Sequence, residues 1–90
     1  MLKIRYTSRF KKDYKLIKKR GYNITKLKNI ITLLCKEEIL PEKYKDHVLS
    51  GDYNNFRECH IEPDWLLVYK LEKDIITLTL VRTGTHSDLF

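Results

Sequence analysis

Ninety residues include 3 Gly and 2 Pro, too few for a collagenous or linker-rich chain, and no glycine-rich phosphate loop is present. No stretch approaches the ~20 apolar residues of a membrane helix. The opening MLKIRYTSRFKKDY lacks the roughly 7–15-residue apolar run of a signal peptide, so a cytoplasmic location without a membrane partner is expected. Cys35 and Cys59, with no secretion signal ahead of them, are expected reduced and in the core. Neither lies in a nucleophile motif. C-x2-C, H-x3-H and HExxH spacings are all missing, so neither a metal nor another cofactor is expected.

What is there suits a globular fold: 42% of residues are hydrophobic and 33% charged. The length predicts a single domain over 1–90. The net charge is +6, which favours a polyanionic partner, but its distribution is more telling. Residues 1–45 hold 14 Lys and Arg against 4 Asp and Glu, a net of +10; residues 46–90 hold 4 against 8, a net of −4. His47, His60 and His86 all lie in the acidic half. A basic docking half and a chemical half are the expectation.

Leu2 to Tyr6 alternates as a half-buried strand does. Thr7 or Ser8 then caps a helix with Phe10, Tyr14 and Ile17 on one face and Lys11, Lys12, Lys15, Lys18 and Lys19 around it, stopped at Gly21. A second helix starts near Thr25, carries an Ile24, Leu27, Ile31, Leu34 stripe and ends before Pro41, giving a helical hairpin. Residues 41–55 read as a loop with a short extended piece. Strands follow at Asn55 to Ile61, Trp65 to Leu71 and Ile75 to Arg82. The predicted fold is α+β, in the order β-α-α-β-β-β, with two N-terminal helices packed on a small, mainly antiparallel sheet.

Strand parity groups the polar residues. Glu58 and His60 share one face and Cys59 and Ile61 the other, so packing of the latter pair under the helices presents Glu58 and His60 on the open face. Arg82 follows Leu78 and Leu80 in parity and needs a bulge or the strand's end to reach that face. His47, Glu58, His60, Asp64, Arg82 and His86 in a basic chain suit RNA phosphodiester transfer. That reaction needs a base for the 2′-hydroxyl, a cation for the phosphorane and an acid for the departing 5′ oxygen.

Four ordered segments, Tyr44-Lys45-Asp46-His47, Phe56 to Trp65 (FRECHIEPDW), Leu67-Val68-Tyr69-Lys70 and Arg82 to Phe90 (RTGTHSDLF), resemble the YafQ family of bacterial toxins in the RelE/ParE superfamily. The resemblance implies a RelE-like fold and an mRNA interferase that cleaves messages in the ribosomal decoding site by metal-free attack of the 2′-hydroxyl. It implies site residues His47, His60, Asp64, Arg82, His86 and Phe90. Glu58, where the family often has Asp, is an additional candidate. On the same resemblance His86 leads proton transfer, His47 and His60 are further acid/base or phosphate-contacting groups, Arg82 stabilises the phosphorane and Phe90 stacks on a base. The lysines of helix one then become an RNA-binding face toward ribosomal RNA. A cognate antitoxin is implied, with operator DNA reached only through the antitoxin complex. The alternatives are a ParE-like toxin binding DNA gyrase without nuclease chemistry, and a basic RNA-binding module.

Overall fold

The computed structural model describes residues 1–49 and 56–90. Along them run β1 (Lys3–Tyr6), α1 (Ser8–Lys19), α2 (Ile24–Cys35), β2 (His47–Val48), β3 (Arg57–Glu62), β4 (Trp65–Glu72), β5 (Thr77–Gly84) and α3 (His86–Leu89), with 3-10 turns at Glu42–Tyr44 and Lys73–Ile75. The sheet order is β1-β5-β4-β3-β2. β1 runs parallel to β5, and the other pairings are antiparallel. The α+β arrangement expected from the periodicities is observed. The short extended piece foreseen between 41 and 55 is β2, whereas α3, a single turn, leaves no periodic trace. The expected strand start at Asn55 lies outside the described residues.

Local chemistry sets the helix ends. The Thr7 hydroxyl accepts the Phe10 N–H at 2.9 Å, and Asn23 accepts that of Thr25 at 3.1 Å, each satisfying an amide with no partner inside its helix. Gly21, at φ +83°, closes α1 while the Tyr22 N–H donates to the Ile17 carbonyl at 3.1 Å. α2 stops at Cys35, well before Pro41. Glu37 takes the same left-handed turn at φ 57°, and the Glu38 N–H closes on the Leu33 carbonyl at 3.0 Å. A glutamate there costs about 1–2 kcal/mol of backbone strain, so no glycine marks the boundary.

Under the helices, Phe10, Ile17, Leu27 and Ile30 pack on Cys59, Leu67, Tyr69 and Leu80 in one apolar cluster. Ile30 is the deep residue of α2, while Ile31, expected in the stripe, is only partly buried. Trp65 lies between layers: its ring meets Tyr22 edge-on at 5.0 Å and its indole N–H donates to Thr83 Oγ1 at 2.9 Å. Both cysteines are buried and unpaired. The expectation of a half-buried first strand is corrected, because all four residues of β1 are exposed. β1 is the sheet's edge, and Leu2 just before it is the residue that enters the core.

A second, smaller cluster occupies the opposite face, where Leu66, Val68 and Leu89 meet Leu49, Phe56 and Val81. β4 is thus apolar on both faces. Leu67, fully buried, makes the fold's dependence on β4 testable: Leu67→Ala should cost about 2–5 kcal/mol in urea unfolding. Ile39→Ala, at a side chain that is 97% exposed, should change stability by less than about 0.5 kcal/mol. Equal effects would contradict this assignment of the core.

Candidate active site

Cross-strand register builds the site. On the face away from α1 and α2, His47, Glu58, Val68 and Arg82 lie opposite one another across β2, β3, β4 and β5, and His60, Leu66 and Gly84 form the adjoining row. Cys59 and Ile61 do pack under the helices, as parity requires for that arrangement. Arg82 joins the row through a bulge, one of the two routes its parity left open. Tyr69 pairs with Leu80 and Val68 with Arg82, which leaves Val81 as an inserted residue. Such a bulge re-aims the side chain that follows it.

Glu58 corrects the expectation of an openly presented carboxylate, being 5% exposed. Two imidazoles lie over it: His47 Nε2 and His60 Nε2 are 3.6 and 3.7 Å from its Oε1, too far for hydrogen bonds. The His47 and His60 ring centres are 6.4 Å apart, those of His60 and His86 5.8 Å, and those of His86 and Phe90 6.5 Å. The three histidines form a line that ends on the chain's last aromatic ring.

Each ring is held by the same nitrogen. His47 Nδ1 meets the Lys45 carbonyl at 2.7 Å, His60 Nδ1 the Pro63 carbonyl at 3.2 Å, and His86 Nδ1 the Asp64 carboxylate at 3.2 Å. These partners only accept, so each Nδ1 carries the hydrogen and each Nε2 is left for chemistry. Asp64 also accepts the His86 backbone N–H at 3.2 Å. That bond, and then the one from the ring, hold its carboxyl below the usual range, as a charged acceptor beneath His86.

Three aspartates that are not among the expected site residues fix the segments carrying these groups. Asp46 accepts from Arg57 Nε and Nη2 at 3.3 and 3.2 Å and from the Tyr69 hydroxyl, pinning the residue before His47. Asp88 accepts from Arg20 at 2.7 and 3.3 Å, tying α3 to the end of α1. Its carboxylate also takes the Thr85 N–H at 3.0 Å, while the Thr85 hydroxyl takes the Asp88 N–H at 3.2 Å. Gly84, at φ +155°, permits this closure, because a Cβ there would stand 3.0 Å from the Asp88 side chain. The glycine two residues before His86 is therefore a demand of the cap. Asp13 accepts from Arg82 Nε and Nη2 at 3.0 and 2.9 Å. A faint signal existed for it, since Asp13 is the single acid among residues 1–36.

The cysteines take no part in this constellation, and burial pushes the Cys59 thiol up to about 12. Among the described residues, no group of three or more His, Cys, Asp and Glu side chains is arranged to hold a metal. Beside His60 opens a cleft of about 490 Å³ lined by Lys26, Lys43 and Lys45 together with Asn29, Tyr44 and Glu62; none of these lysines is among the expected RNA-binding set. Lys11, Lys15 and Lys18 line a separate groove floored by Phe10, Tyr14, Leu27 and Ile31. Lys12 and Lys19 are exposed on the same helix.

The anchoring of α3 predicts an acid response. The Arg20 side chain, followed by the Thr85 N–H, holds the Asp88 carboxyl well below its usual 3.8. Its contribution to stability is then complete above that usual value and lost as pH falls toward the lowered one. Urea midpoints measured from pH 6 to pH 2 should fall less steeply below about pH 4 in Asp88→Asn than in wild type. Identical acid limbs would show that the pair does not anchor α3.

Residues 2–90 match the family described as the bacterial toxin of type II toxin-antitoxin system, YafQ. The chain is 46% identical over 88 residues to the mRNA interferase toxin YafQ of Escherichia coli K12, covering 97% of this chain and 94% of that protein. A metal-bound toxin from Helicobacter pylori superposes with a TM-score of 0.95 at 47% identity, covering 100% of both chains. The structure of the E. coli DinJ-YafQ complex matches with a TM-score of 0.91 at 44% identity, over 100% of this chain and 99% of that one. With one family spanning nearly every residue and the same fold found in its solved members, this chain belongs to the YafQ family of bacterial toxins from type II toxin-antitoxin systems.

Proposed function

We propose that this chain is an mRNA interferase that cuts messages on the ribosome by attack of the RNA's own 2′-hydroxyl, and so inhibits translation. The observation that carries this reading is the line of three imidazoles, each tethered at Nδ1 and offering Nε2. His86, oriented by Asp64, transfers one proton, and the His47–His60 pair over Glu58 handles the other. The base takes the 2′-hydroxyl proton as that oxygen bonds to phosphorus. Arg82 stabilises the negative phosphorane, and the acid protonates the 5′ oxygen as its bond to phosphorus breaks. The products are a 2′,3′-cyclic phosphate and a 5′-hydroxyl. Phe90, 60% exposed at the end of the line, stacks on an unstacked base.

In this reading the whole of 1–90 acts as one unit in the cytoplasm. The lysine-lined cleft beside His60 receives the message, and Lys11, Lys12, Lys15, Lys18 and Lys19 meet ribosomal RNA. A cognate antitoxin neutralises the toxin, as the DinJ-YafQ complex of a relative suggests, and operator DNA is reached only through that complex.

Primer extension on a defined message, with and without ribosomes, tests the proposal. Wild type should cut only the ribosome-bound message, leaving a 5′-hydroxyl. His86→Ala should lose on the order of 10²–10⁴ in cleavage rate with an unchanged near-UV spectrum. Full cleavage by that variant would remove His86 from the chemistry, and intact messages in arrested cells would remove the interferase reading itself.

A further inference from the structure

Asp13 stands outside the line of histidines, on a helix whose other charges are all basic, yet it is buried to 8% exposure and holds three donors. Two are Arg82 Nε and Nη2, at 3.0 and 2.9 Å, and the third is the Thr83 backbone N–H at 3.2 Å. Its surroundings explain why a carboxylate sits there. β1 pairs with β5 only as far as Leu80, and beyond that point α1 takes over the open edge. The Thr7 N–H donates to the Leu80 carbonyl at 3.1 Å, the Thr7 hydroxyl to the Val81 carbonyl at 2.6 Å, and Asp13 accepts from Thr83. The carboxylate is therefore registered against the β5 backbone at the bulge that re-aims Arg82. Its distance from the arginine's own backbone is set by a neighbouring hydrogen bond, independently of the guanidinium.

We infer that Asp13 is a positioning residue for catalysis: it holds the Arg82 guanidinium, through a two-point fork, in the plane and place where that group meets the phosphate. This rests on the reading that Arg82 acts on the phosphorane. The Arg82 side chain is 20% exposed and that of Asp13 11%. An unrestrained arginine side chain samples many rotamers. A group that stabilises charge only in the transition state works best when already in place, so that the reaction does not first have to order it. A fork specifies orientation as well as distance. A fork to Asp13 also leaves part of the guanidinium's charge compensated before RNA arrives, so the expected gain lies in the rate of the bound complex more than in affinity.

The test is single-turnover cleavage of a defined message on programmed ribosomes, with the maximal rate and the half-saturating toxin concentration measured separately. Asp13→Asn preserves shape and one acceptor oxygen but removes the fork's charge. It should lower the maximal rate on the order of 10²-fold, the scale of a misplacement of about 1 Å, and leave half-saturation within about threefold. Rates are referred to the folded fraction measured by near-UV spectroscopy. Should Asp13→Asn fold poorly, chemical rescue decides in backgrounds that lack the arginine. Guanidinium ion at millimolar concentration should restore cleavage to Arg82→Ala, and should restore at least tenfold less in Arg82→Ala/Asp13→Asn, whose carboxylate no longer seats the ion. Wild-type maximal rate per folded molecule in Asp13→Asn, or equal rescue in the two backgrounds, would overturn the inference and leave Asp13 a brace of the fold. Full cleavage by Arg82→Ala would instead overturn the reading of Arg82 on which the inference rests, a distinct result.

Discussion

The burial of β4 on both faces is the constraint on which the rest depends. Leu67 and Tyr69 face α1 and α2, while Leu66 and Val68 face the smaller cluster with Leu89 of α3. Such a strand tolerates no slip, since a one-residue shift would exchange the two sets of side chains. Its fixed register determines which β3 residues lie over which β5 residues, and so brings Glu58 and Arg82 into one row with His47 at its end. Leu89, by packing on the same floor, sets the turn of helix that begins with His86 and precedes Phe90.

The six-residue β3 supplies His60. The other two histidines arrive on segments with little apolar anchoring of their own, a two-residue strand and a four-residue helix, and both are secured by arginine-aspartate forks. Asp46 with Arg57 and Tyr69 locks the turn before His47; Asp88 with Arg20 locks α3; Asp13 with Arg82 repeats the device at the bulge. Exposed ion pairs alone add little stability. What these forks add is direction, because each bidentate contact also fixes a plane. The excess of positive charge toward the N-terminus thus has a structural use: Arg20, at the end of α1, belongs to the site's frame.

Much of this was legible in the sequence. Alternation in residues 57–61 correctly separated Glu58 and His60 from Cys59 and Ile61, and the conflict between Arg82 and its parity partners left a bulge or the strand's end, of which the structure has the bulge. Local patterning carries such information because side chains alternate every second residue. It carries none about the Asp13–Arg82 and Arg20–Asp88 pairs, separated by 69 and 68 positions, and those complete the frame. The burial of Glu58 was equally out of reach, since it depends on His47 arriving from another strand. The end of α2 escaped notice for a different reason: Glu37 takes a conformation for which glycine is the usual sign.

In the proposed function His47, His60 and His86 form one site that engages a single RNA phosphodiester. The most direct measurement is an NMR titration of the three imidazole Hε1 resonances with a short 2′-O-methyl RNA, which binds but lacks the attacking hydroxyl. All three resonances should move along one binding curve with a common dissociation constant, and the Phe90 ring signals should move with them. Response of one histidine alone, or curves with separate dissociation constants, would contradict a shared site.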